Sequence, residues 1–362
     1  MSRRPEGELR RGWTTGACAT AAAKAAYTAL LTGDFPDPVQ ITLPKGETPS
    51  FALAREGMAE NSAFTAIIKD AGDDPDVTHG ALIQVNIEIA SAGDGVIFRA
   101  GDGVGTVTRE GLPLPVGEPA INPMPRKMIR QAIDETAAAH GAPGDVIVTV
   151  SVEGGAALAE KTWNPRLGIL GGISILGTTG VVVPYSCAAW IESIHRGIDV
   201  ARAGGEPLIA GCTGKSSEEK TQELLGLPDH AMIDMGDFAG GMLKYLRRHP
   251  VPRVVIGGGF AKISKLAEGN LDLHSGRSQV DLTWMADVAH ELGASKEIAA
   301  QIEGANTAAE ALSIAGTAGL ELAPEIARRA QGVARYTLAG AEIDIDVFIY
   351  DRAGNLVGRS DE

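Results

Sequence analysis

The stretch Ala-Ile-Ile-Lys-Asp-Ala-Gly-Asp-Asp-Pro-Asp-Val-Thr at residues 66–78 joins an apolar run to an acidic loop. The apolar, β-branched residues predict a buried strand that ends at Lys69. Gly72 permits a left-handed or tight backbone, and Pro75 fixes its own φ and disfavours helix at the residue before it. We therefore expect a strand, a rigid loop, and a second strand that begins near Ala81.

The acidic loop places four carboxylates within seven positions, on Asp70, Asp73, Asp74 and Asp76. Because these charges repel one another, a rigid loop needs backbone N–H donors, Lys69 or a bound cation to compensate them. An Asx-rich turn that bonds its own amides is the alternative without a ligand. An EF-hand is a third interpretation, but the aspartate spacing does not fit and no glutamate occupies the twelfth position.

Further motifs follow one another along the chain. They are RRGWTTGACA at 10–19, PVGEPAINPMPR at 115–126, NPRLGI at 164–169, GGISILGTTG at 171–180 and, in the second half, GDFAG at 236–240 and a Gly-rich turn at 257. Together with residues 66–78, these motifs resemble the signatures of the CbiD family, the cobalt-precorrin-5B (C1)-methyltransferases of oxygen-independent cobalamin synthesis. The resemblance is close in the first half, where it rests on five motifs in the same order as in the family, and it is looser in the second half.

Length and composition set limits on the class of protein. A chain of 362 residues suggests about two domains. A net charge of -14 and an aromatic content of 4% argue against nucleic-acid binding, which needs a basic surface or stacking platforms. Three widely spaced cysteines make neither a disulfide framework nor a zinc site.

The apolar runs of the chain bear on its location. No apolar h-region follows the basic start, so we expect no signal peptide. No uncharged apolar run reaches about 18 residues, so we expect no membrane span. The cytoplasm is the expected compartment.

The two halves differ in their predicted secondary structure. After a mobile tail at residues 1–9, residues 10–195 predict an α+β domain, with a Thr-capped alanine-rich helix and a mixed or antiparallel sheet. In residues 196–362, short apolar strands alternate with helical patterns, which predicts a Rossmann-like α/β domain with a parallel sheet. Ligands of such sheets bind beyond the carboxyl ends of the strands.

Five prolines stiffen residues 113–126. We expect neither helix nor central strand in this segment, and a helix from Arg126 to about His140. The extended segment would hold Glu118 and Asn122 in fixed positions for binding, or it would serve only as an interdomain connection.

The resemblance implies a substrate site and a methyl-donor site. Expected substrate-binding residues are Arg10, Arg11, Thr14, Thr15, Lys69, Glu118, Asn122, Arg126, Lys161 and Arg166, because the substrate carries many carboxylates. Expected residues for binding the donor are Gly177, Thr178, Thr179, Asp237, Gly257, Gly258 and Gly259. Any proton transfer would use Asp70, Asp73 or His274. A capped helix with solvated arginines, an Asp237 that caps the next helix, and glycines used only in packing are the simpler alternatives.

The implied reaction is methylation of C-1 of cobalt-precorrin-5B to give cobalt-precorrin-6A, with S-adenosyl-L-methionine as cosubstrate. Cobalt arrives inside the substrate, so the resemblance requires no protein metal site. Two other classes stay open at this stage: a tetrapyrrole carrier without catalysis, and a metal-dependent hydrolase that uses the aspartate cluster. Contacts with neighbouring pathway enzymes and a homo-oligomer are also left open.

Overall fold

The structure is a computed structural model and describes residues 7–361. Most of the predicted mobile tail, residues 1–6, lies outside the described residues, and residues 7–9 form no helix or strand. Residue contacts divide the chain into two units, Met1–Cys187 and Ala188–Glu362. Each unit has its own sheet and helices, so the chain is a mixed α/β protein.

The first unit contains thirteen strands and three α-helices within the described residues. In chain order they are β1 Gly12–Trp13, α1 Thr15–Thr32, β2 Val39–Gln40, β3 Ser50–Phe51, β4 Arg55–Ala59, β5 Ser62–Ile68, β6 Leu82–Ile89, β7 Val96–Ala100, β8 Gly103–Val104, β9 Thr106–Val107, α2 Pro123–His140, β10 Val146–Val152, α3 Gly155–Ala159, β11 Ile169–Leu170, β12 Gly172–Ile173 and β13 Val181–Val182.

The core of the first unit lies between a five-stranded sheet and helices α1 and α2. The strand order is β4-β5-β6-β10-β7, antiparallel except for the parallel pair β10–β7. Alternate residues of β6, Ile83, Val85 and Ile87, are fully buried, as the period of two predicts. The small side chains of α1 allow a close approach to the sheet, where the hydroxyl of Thr65 donates to the carbonyl oxygen of Ala22 at 2.7 Å.

Helix α1 confirms the predicted cap, whereas α2 corrects the predicted start of its helix. Thr14 caps α1 through a hydrogen bond from Ala17 N, and Gly33 ends it in the left-handed region. Helix α2 begins at Pro123 instead of Arg126. Prolines are tolerated in the first turn of a helix, where the N–H group has no intrahelical acceptor.

The apolar runs at 39–43 and 51–54 predict two strands that are shorter in the structure, and several strands of the first unit, β4 among them, were not predicted. Strand β2 covers only Val39–Gln40 of the predicted 39–43, and β3, Ser50–Phe51, overlaps the predicted 51–54 only at Phe51. Strand β4, Arg55–Ala59, is mostly exposed and lies at the sheet edge, so its sequence lacks the apolar alternation that identifies a half-buried strand.

The second unit contains five strands and eight α-helices within the described residues. They are α4 Cys187–Ala203, which begins at the last residue of the first unit, β14 Leu208–Cys212, α5 Lys215–Leu225, β15 Met232–Asp234, α6 Ala239–Leu246, β16 Arg253–Gly259, α7 Phe260–Ala267, α8 Leu282–Glu291, α9 Lys296–Glu303, α10 Ala308–Thr317, α11 Leu322–Leu338, β17 Asp344–Tyr350 and β18 Leu356–Arg359. A short 3₁₀ helix, Asp229–Ala231, precedes β15.

The sheet of the second unit has the order β15-β14-β16-β17-β18, parallel except for the antiparallel edge strand β18. Val254 and Ile256 of β16 face the larger apolar core, which includes residues of α4, α6, α7 and α11. Val255 points to the opposite face, where Leu225 of α5 packs. The predicted parallel sheet is confirmed, while α9, α10 and β18 were not predicted.

Candidate active site

The acidic loop between β5 and β6 is closed by the segment that precedes α1. The guanidinium of Arg10 donates to both carboxylate oxygens of Asp70, and Gly72 N donates to Asp70 Oδ1 at 2.9 Å. The hydrogen bond from Arg10 is the main reason that the pKa of Asp70 falls to about 2. Asp70 is therefore ionised across the physiological range and is already paired.

Lys69 and Asp76 form a second pair beneath the loop. Lys69 Nζ donates to Asp76 Oδ2 at 2.6 Å, and the lysine side chain is only 1% exposed. Burial raises the pKa of Asp76, but the Lys69 ammonium and the hydrogen bonds from Thr78 outweigh it and lower the pKa overall. In this conformation Lys69 neutralises the loop and does not face solvent.

The remaining two carboxylates of the loop accept backbone hydrogen bonds. Arg10 N donates to Asp73 Oδ2 at 2.6 Å, and Tyr185 N donates to Asp74 Oδ1 at 2.8 Å. The loop also depends on a missing side chain, because a Cβ on Gly72 would lie 2.2 Å from the carbonyl oxygen of Arg10. All four aspartates thus have protein donors, partly from the loop and partly from residues far away in the sequence.

The N-terminus of α1 is held by the Gly-rich segment that follows β12. Thr15 Oγ1 accepts from Leu176 N at 2.9 Å, while Gly16 N donates to Leu176 O at 2.9 Å. A Cβ on Gly177 would lie 2.3 Å from Thr14 Oγ1. The hydroxyls of Thr14 and Thr15 therefore serve local structure, and Gly177 is needed for close packing.

Other residues near this segment differ in their exposure. Thr179 Oγ1 accepts from Val181 N at 3.3 Å, whereas Thr178 is exposed. Burial raises the pKa of the Cys18 thiol to about 12, which makes it a packing residue of α1. Arg11 lies on the exposed surface just before β1.

Arg126 secures the proline-rich segment. Its Nε donates to Ile121 O at 2.8 Å, and its Nη2 donates to Pro119 O at 3.0 Å and to Glu118 Oε2 at 2.9 Å. The Arg126 side chain is 14% exposed. Asn122 precedes α2 without making a capping hydrogen bond through its side chain.

Lys161 and Arg166 lie in the loop between α3 and β11. Lys161 is exposed, and the Arg166 guanidinium carbon stacks 5.2 Å from the ring centroid of Trp163. Within the first unit, the structure thus brings Arg10, Asp70 and Asp73 together. Lys161 and Arg166 belong to a separate loop.

The second candidate site lies at the carboxyl edge of the second sheet. Asp237 follows β15, and Lys262 is in the first turn of α7. Lys262 Nζ lies 2.9 Å from Asp237 Oδ1 and donates to the carbonyl oxygen of Thr213, after β14, at 2.6 Å. The N-cap of α6 is Phe238 and makes no side-chain capping bond, so Asp237 is not a helix cap.

The three glycines at the end of β16 have different roles. A Cβ on Gly257 would lie 2.4 Å from Thr221 Oγ1, and one on Gly258 would lie 2.7 Å from Ile263. A Cβ on Gly259 would meet nothing within 4 Å. Packing therefore explains Gly257 and Gly258, while Gly259 borders open space.

His274 lies in an exposed loop of the second unit, one residue after Leu273. Leu273 N donates to Asp237 O at 2.8 Å, and His274 Nδ1 accepts from Gly276 N at 3.1 Å. This backbone contact brings His274 near the carboxyl edge of its own sheet. The other two acid–base candidates, Asp70 and Asp73, belong to the first unit.

Family models match both ends of the chain. Residues 2–184 match the model described as CbiD, and residues 272–361 match the one described as CbiD, C-terminal domain. The first match alone spans just over half of the 362 residues. The chain belongs to the CbiD family.

Relatives within the CbiD family extend the match to nearly the whole chain. Proteins named cobalt-precorrin-5B C(1)-methyltransferase from Brucella anthropi and Brucella canis are each 58% identical over 352 residues, covering 97% of this chain and 96% of the relative. A crystal structure of the cobalamin biosynthesis protein of Archaeoglobus fulgidus is 27% identical, with a TM-score of 0.40. It covers 70% of this chain and 78% of that chain.

Two further features concern membranes and metals in this CbiD member. Between residues 7 and 361, no helix is both long and apolar enough to cross a membrane. In the same part of the chain, no three His, Cys, Asp or Glu residues are grouped so that they could hold a metal ion.

From the sequence, the segment from Gly257 to Lys262 is a candidate ligand site at the sheet edge, but neither Lys262 nor Lys265 is assigned a role in it. The sequence places both lysines within the first six residues after the Gly-rich end of β16. A lysine just after a Gly-rich strand end, at a predicted sheet edge, was the signal that could have identified Lys262. The partner Asp237 lies in another loop, so the pair itself has no local sequence pattern.

Proposed function

We propose that this chain transfers a methyl group from S-adenosyl-L-methionine to C-1 of cobalt-precorrin-5B and so forms cobalt-precorrin-6A in anaerobic corrin synthesis. The supporting observation is the 58% identity, over 97% of the chain, to CbiD relatives that carry the name of this methyltransferase. Cobalt enters as part of the substrate. The names of these relatives favour neither the carrier nor the hydrolase alternative. The aspartates that a metal-dependent hydrolase would use are each bonded to protein donors.

The chemistry requires alignment more than activation by the protein. The sulfonium donor supplies an electrophilic methyl group: the C–S bond breaks, its electron pair stays on sulfur, and a C–C bond forms at C-1. The residues of the chain must hold the two reactants about 3 Å apart and in line, with water excluded. A rigid frame around the site serves that task, and the paired loops of the first unit are such a frame.

The first unit is our proposed substrate-binding part. Arg11 and Lys161 are exposed and can meet substrate carboxylates directly. Arg10 is 59% exposed but pairs with Asp70, so an incoming carboxylate would compete with that residue. Arg166, Glu118 and Asn122 stay in the proposed substrate set. Thr14 and Thr15 would contribute to substrate binding by holding the N-terminus of α1, since their hydroxyls are bonded within the first unit. For Lys69 and Arg126 we propose a framing role, because their cationic groups are bonded to buried neighbours.

Any proton transfer on the macrocycle would use Asp70, Asp73 or His274. With a pKa of about 2, Asp70 could accept a proton but could not donate one near neutral pH. Asp73 already accepts from Arg10 N, whereas His274 is exposed, and an imidazole ring offers both a proton donor and a proton acceptor. We therefore propose His274 as the first of the three to test.

The second unit is our proposed donor-binding part, and we classify it as Rossmann-like. Asp237 with Gly257, Gly258 and Gly259 is the proposed donor-binding set of this unit, and Gly177, Thr178 and Thr179 of the first unit are the alternative proposed set. The proposal is supported by the position of Asp237 just after β15, at the carboxyl edge of the sheet, where its Oδ1 lies 2.9 Å from the Lys262 ammonium. We propose residues 10–195 and 196–362 as the two functional domains. Contacts with neighbouring pathway enzymes that hand over the substrate, a homo-oligomer and a cytoplasmic location are part of the same proposal.

The test is an anaerobic incubation of the purified protein with cobalt-precorrin-5B and methyl-labelled S-adenosylmethionine, read by mass spectrometry. We expect one label on the macrocycle and an equal amount of S-adenosylhomocysteine. A His274→Gln variant should keep donor binding and lose rate if it transfers a proton. Absence of label, with both ligands demonstrably bound, would contradict the proposal.

A further inference from the structure

One ammonium group links three loops at the carboxyl edge of the second sheet. Lys262 belongs to the first turn of α7, after β16. Its Nζ donates to Thr213 O at 2.6 Å, just after β14, and lies 2.9 Å from Asp237 Oδ1, just after β15. Lys262 is therefore placed to contact a ligand that binds above these three strand ends.

The Asp237 carboxylate is nearly buried and is paired with Lys262. Its side chain is 13% exposed, and its buried Oδ1 lies 2.9 Å from the Lys262 ammonium, the distance of an ion pair. A carboxylate oxygen has two lone-pair sites, so Oδ1 can accept from a ligand donor beside this ion pair or in place of it. The Lys262 side chain is 36% exposed and can be reached by such a ligand.

The space beside this pair is open at the position where α/β sheets bind ligands. The strand order puts the first strand, β14, between the second and the third, so the connections diverge between β14 and β16. A Cβ on Gly214 or on Gly259 would meet nothing within 4 Å. The loops after β14 and β16 thus leave room at the switch point, and Lys262 lies beside it.

A second lysine fixes the geometry of the pair. Lys265 is 6% exposed, and its Nζ donates to Leu273 O at 2.8 Å. Leu273 N in turn donates to Asp237 O at 2.8 Å. The backbone of Asp237 is therefore held in place before any ligand arrives, which reduces the ordering that binding requires.

We propose that Lys262 recognises the carboxylate of the aminoacyl end of the methyl donor, while Asp237 accepts a hydrogen bond from the donor's ribose hydroxyls or its amino group. This inference rests on the proposed function, because it assumes that the donor binds in the second unit. Without ligand, Lys262 and Asp237 neutralise each other. On binding, the ligand carboxylate takes the ammonium and the ligand's own donors satisfy Asp237 Oδ1, so the charge balance is maintained.

The test compares two probes by isothermal titration calorimetry with the full-length chain. S-adenosylhomocysteine has the aminoacyl carboxylate, whereas 5′-methylthioadenosine keeps the adenosine and thioether but lacks it. Wild type should bind S-adenosylhomocysteine more tightly. Lys262→Met should weaken that binding by about 10- to 100-fold, as expected for a charge-assisted hydrogen bond, and should change binding of 5′-methylthioadenosine by less than about threefold.

Matched variants separate recognition from stability. Lys262→Arg keeps the charge and should retain part of the preference for S-adenosylhomocysteine. Lys244→Met makes the same change at an exposed lysine of α6 and should leave both affinities unchanged. If Lys262→Met does not fold, Lys262→Met with Asp237→Asn removes both charges together, and its preference should still be lost.

Specific results would overturn the inference. Equal weakening of both probes in Lys262→Met would make Lys262 a structural residue, and unchanged binding would remove it from the site. Wild type that binds neither probe would also overturn the inference. Methyl transfer measured on the same preparation tests the proposed function separately. If transfer occurs without a Lys262-dependent preference for S-adenosylhomocysteine, only the inference about Lys262 is wrong.

Discussion

Arg10 pairs through its guanidinium with both carboxylate oxygens of Asp70, a residue 60 positions further along the chain. The pair ties the segment before α1 to the loop after β5. It also lowers the pKa of Asp70 to about 2 from an ordinary value of 3.8. The contribution of Asp70 to stability must therefore depend on pH in the acidic range.

We predict that Asp70→Asn reduces the acid sensitivity of folding. The charged form of Asp70 is favoured in the folded state, so its stabilisation is complete above about pH 4 and is lost as the pH falls toward 2. Because the Asp70 side chain is 43% exposed, solvent screening limits the effect to about 1 kcal/mol or less. Urea unfolding of wild type and variant between pH 5 and 2.5 should show the two free energies converging.

The opposite result would be equally informative. If the free-energy difference between wild type and Asp70→Asn stays constant down to pH 2.5, the Arg10–Asp70 pair does not lower the pKa in solution. Asp94→Asn makes the same change in an exposed turn of the first unit and serves as the control for nonspecific effects of charge.

We predict that Lys69→Met destabilises the first unit by about 3–5 kcal/mol. The variant removes the ammonium 2.6 Å from Asp76 and leaves a mostly buried carboxylate without its counter-ion. Adding Asp76→Asn should recover a large part of the loss, because removing both charges of a buried pair is often close to neutral. Chemical unfolding followed by circular dichroism measures both variants.

Stability and substrate affinity of the same variants distinguish a framing role of Lys69 from a substrate-binding role. A Lys69→Met protein with wild-type stability and weakened substrate binding would return Lys69 to the substrate-binding set that the sequence motif suggested. Loss of stability, with affinity retained in the double variant, would establish the framing role.

The sequence predicted the acidic loop and its compensation by Lys69 and by backbone N–H donors, but it could not identify the partners that are distant along the chain. Local sequence patterns were sufficient to predict the strand before Lys69, the threonine cap of α1 and the parallel sheet of the second half. The donor to Asp70 is Arg10 and the donor to Asp74 is Tyr185, each far from the loop along the chain. Such pairings arise from tertiary packing, which no local spacing encodes.

The sequence-based expectations that the structure corrects also depend on backbone geometry and on neighbours in the fold. Helix α2 starts at Pro123 because its first turn needs no N–H donors, so proline did not exclude helix there. Glycines 257–259 look equivalent in sequence, but their neighbours in the fold separate two packing positions from one open position.

We predict that Gly72→Ala is much more damaging than Gly80→Ala. Both glycines have positive φ, 67° and 77°, so both substitutions carry the cost of about 1–2 kcal/mol for a left-handed alanine. At Gly72 the new Cβ would also lie 2.2 Å from the carbonyl oxygen of Arg10, whereas at Gly80 it would meet nothing within 4 Å. Unfolding free energies should separate the two variants by more than 1 kcal/mol, and equal losses would show that the Arg10 contact yields easily.

We predict that Gly258→Ala and Gly259→Ala separate packing from ligand access. A Cβ at Gly258 would lie 2.7 Å from Ile263, so this variant should lose about 1–3 kcal/mol of stability through overpacking. Gly259 has φ -69° and open space, so alanine should be tolerated there. Gly259→Ala should instead weaken S-adenosylhomocysteine binding severalfold, as measured by calorimetry. Unchanged affinity would place the donor away from this strand end.

We predict that alanine at two arginines from different signature motifs impairs the protein in different ways. Arg11 is exposed, so Arg11→Ala should keep wild-type stability and raise the KM for the macrocycle by about 3- to 10-fold through a lost carboxylate contact. Arg126→Ala should lower stability by about 2–3 kcal/mol, because Ile121 O, Pro119 O and Glu118 lose a buried charged donor.

Measuring both properties on both variants makes this comparison decisive. Thermal unfolding and the methyl-transfer KM should show one variant altered only in binding and the other altered first in stability. Arg126→Lys keeps the charge but cannot reach three acceptors with a planar fork, so it should recover little of the lost stability. If Arg126→Ala instead keeps its stability and loses only substrate affinity, the proline-rich segment is a binding element. Arg126 would then exchange its ion pair with Glu118 for a contact with the substrate.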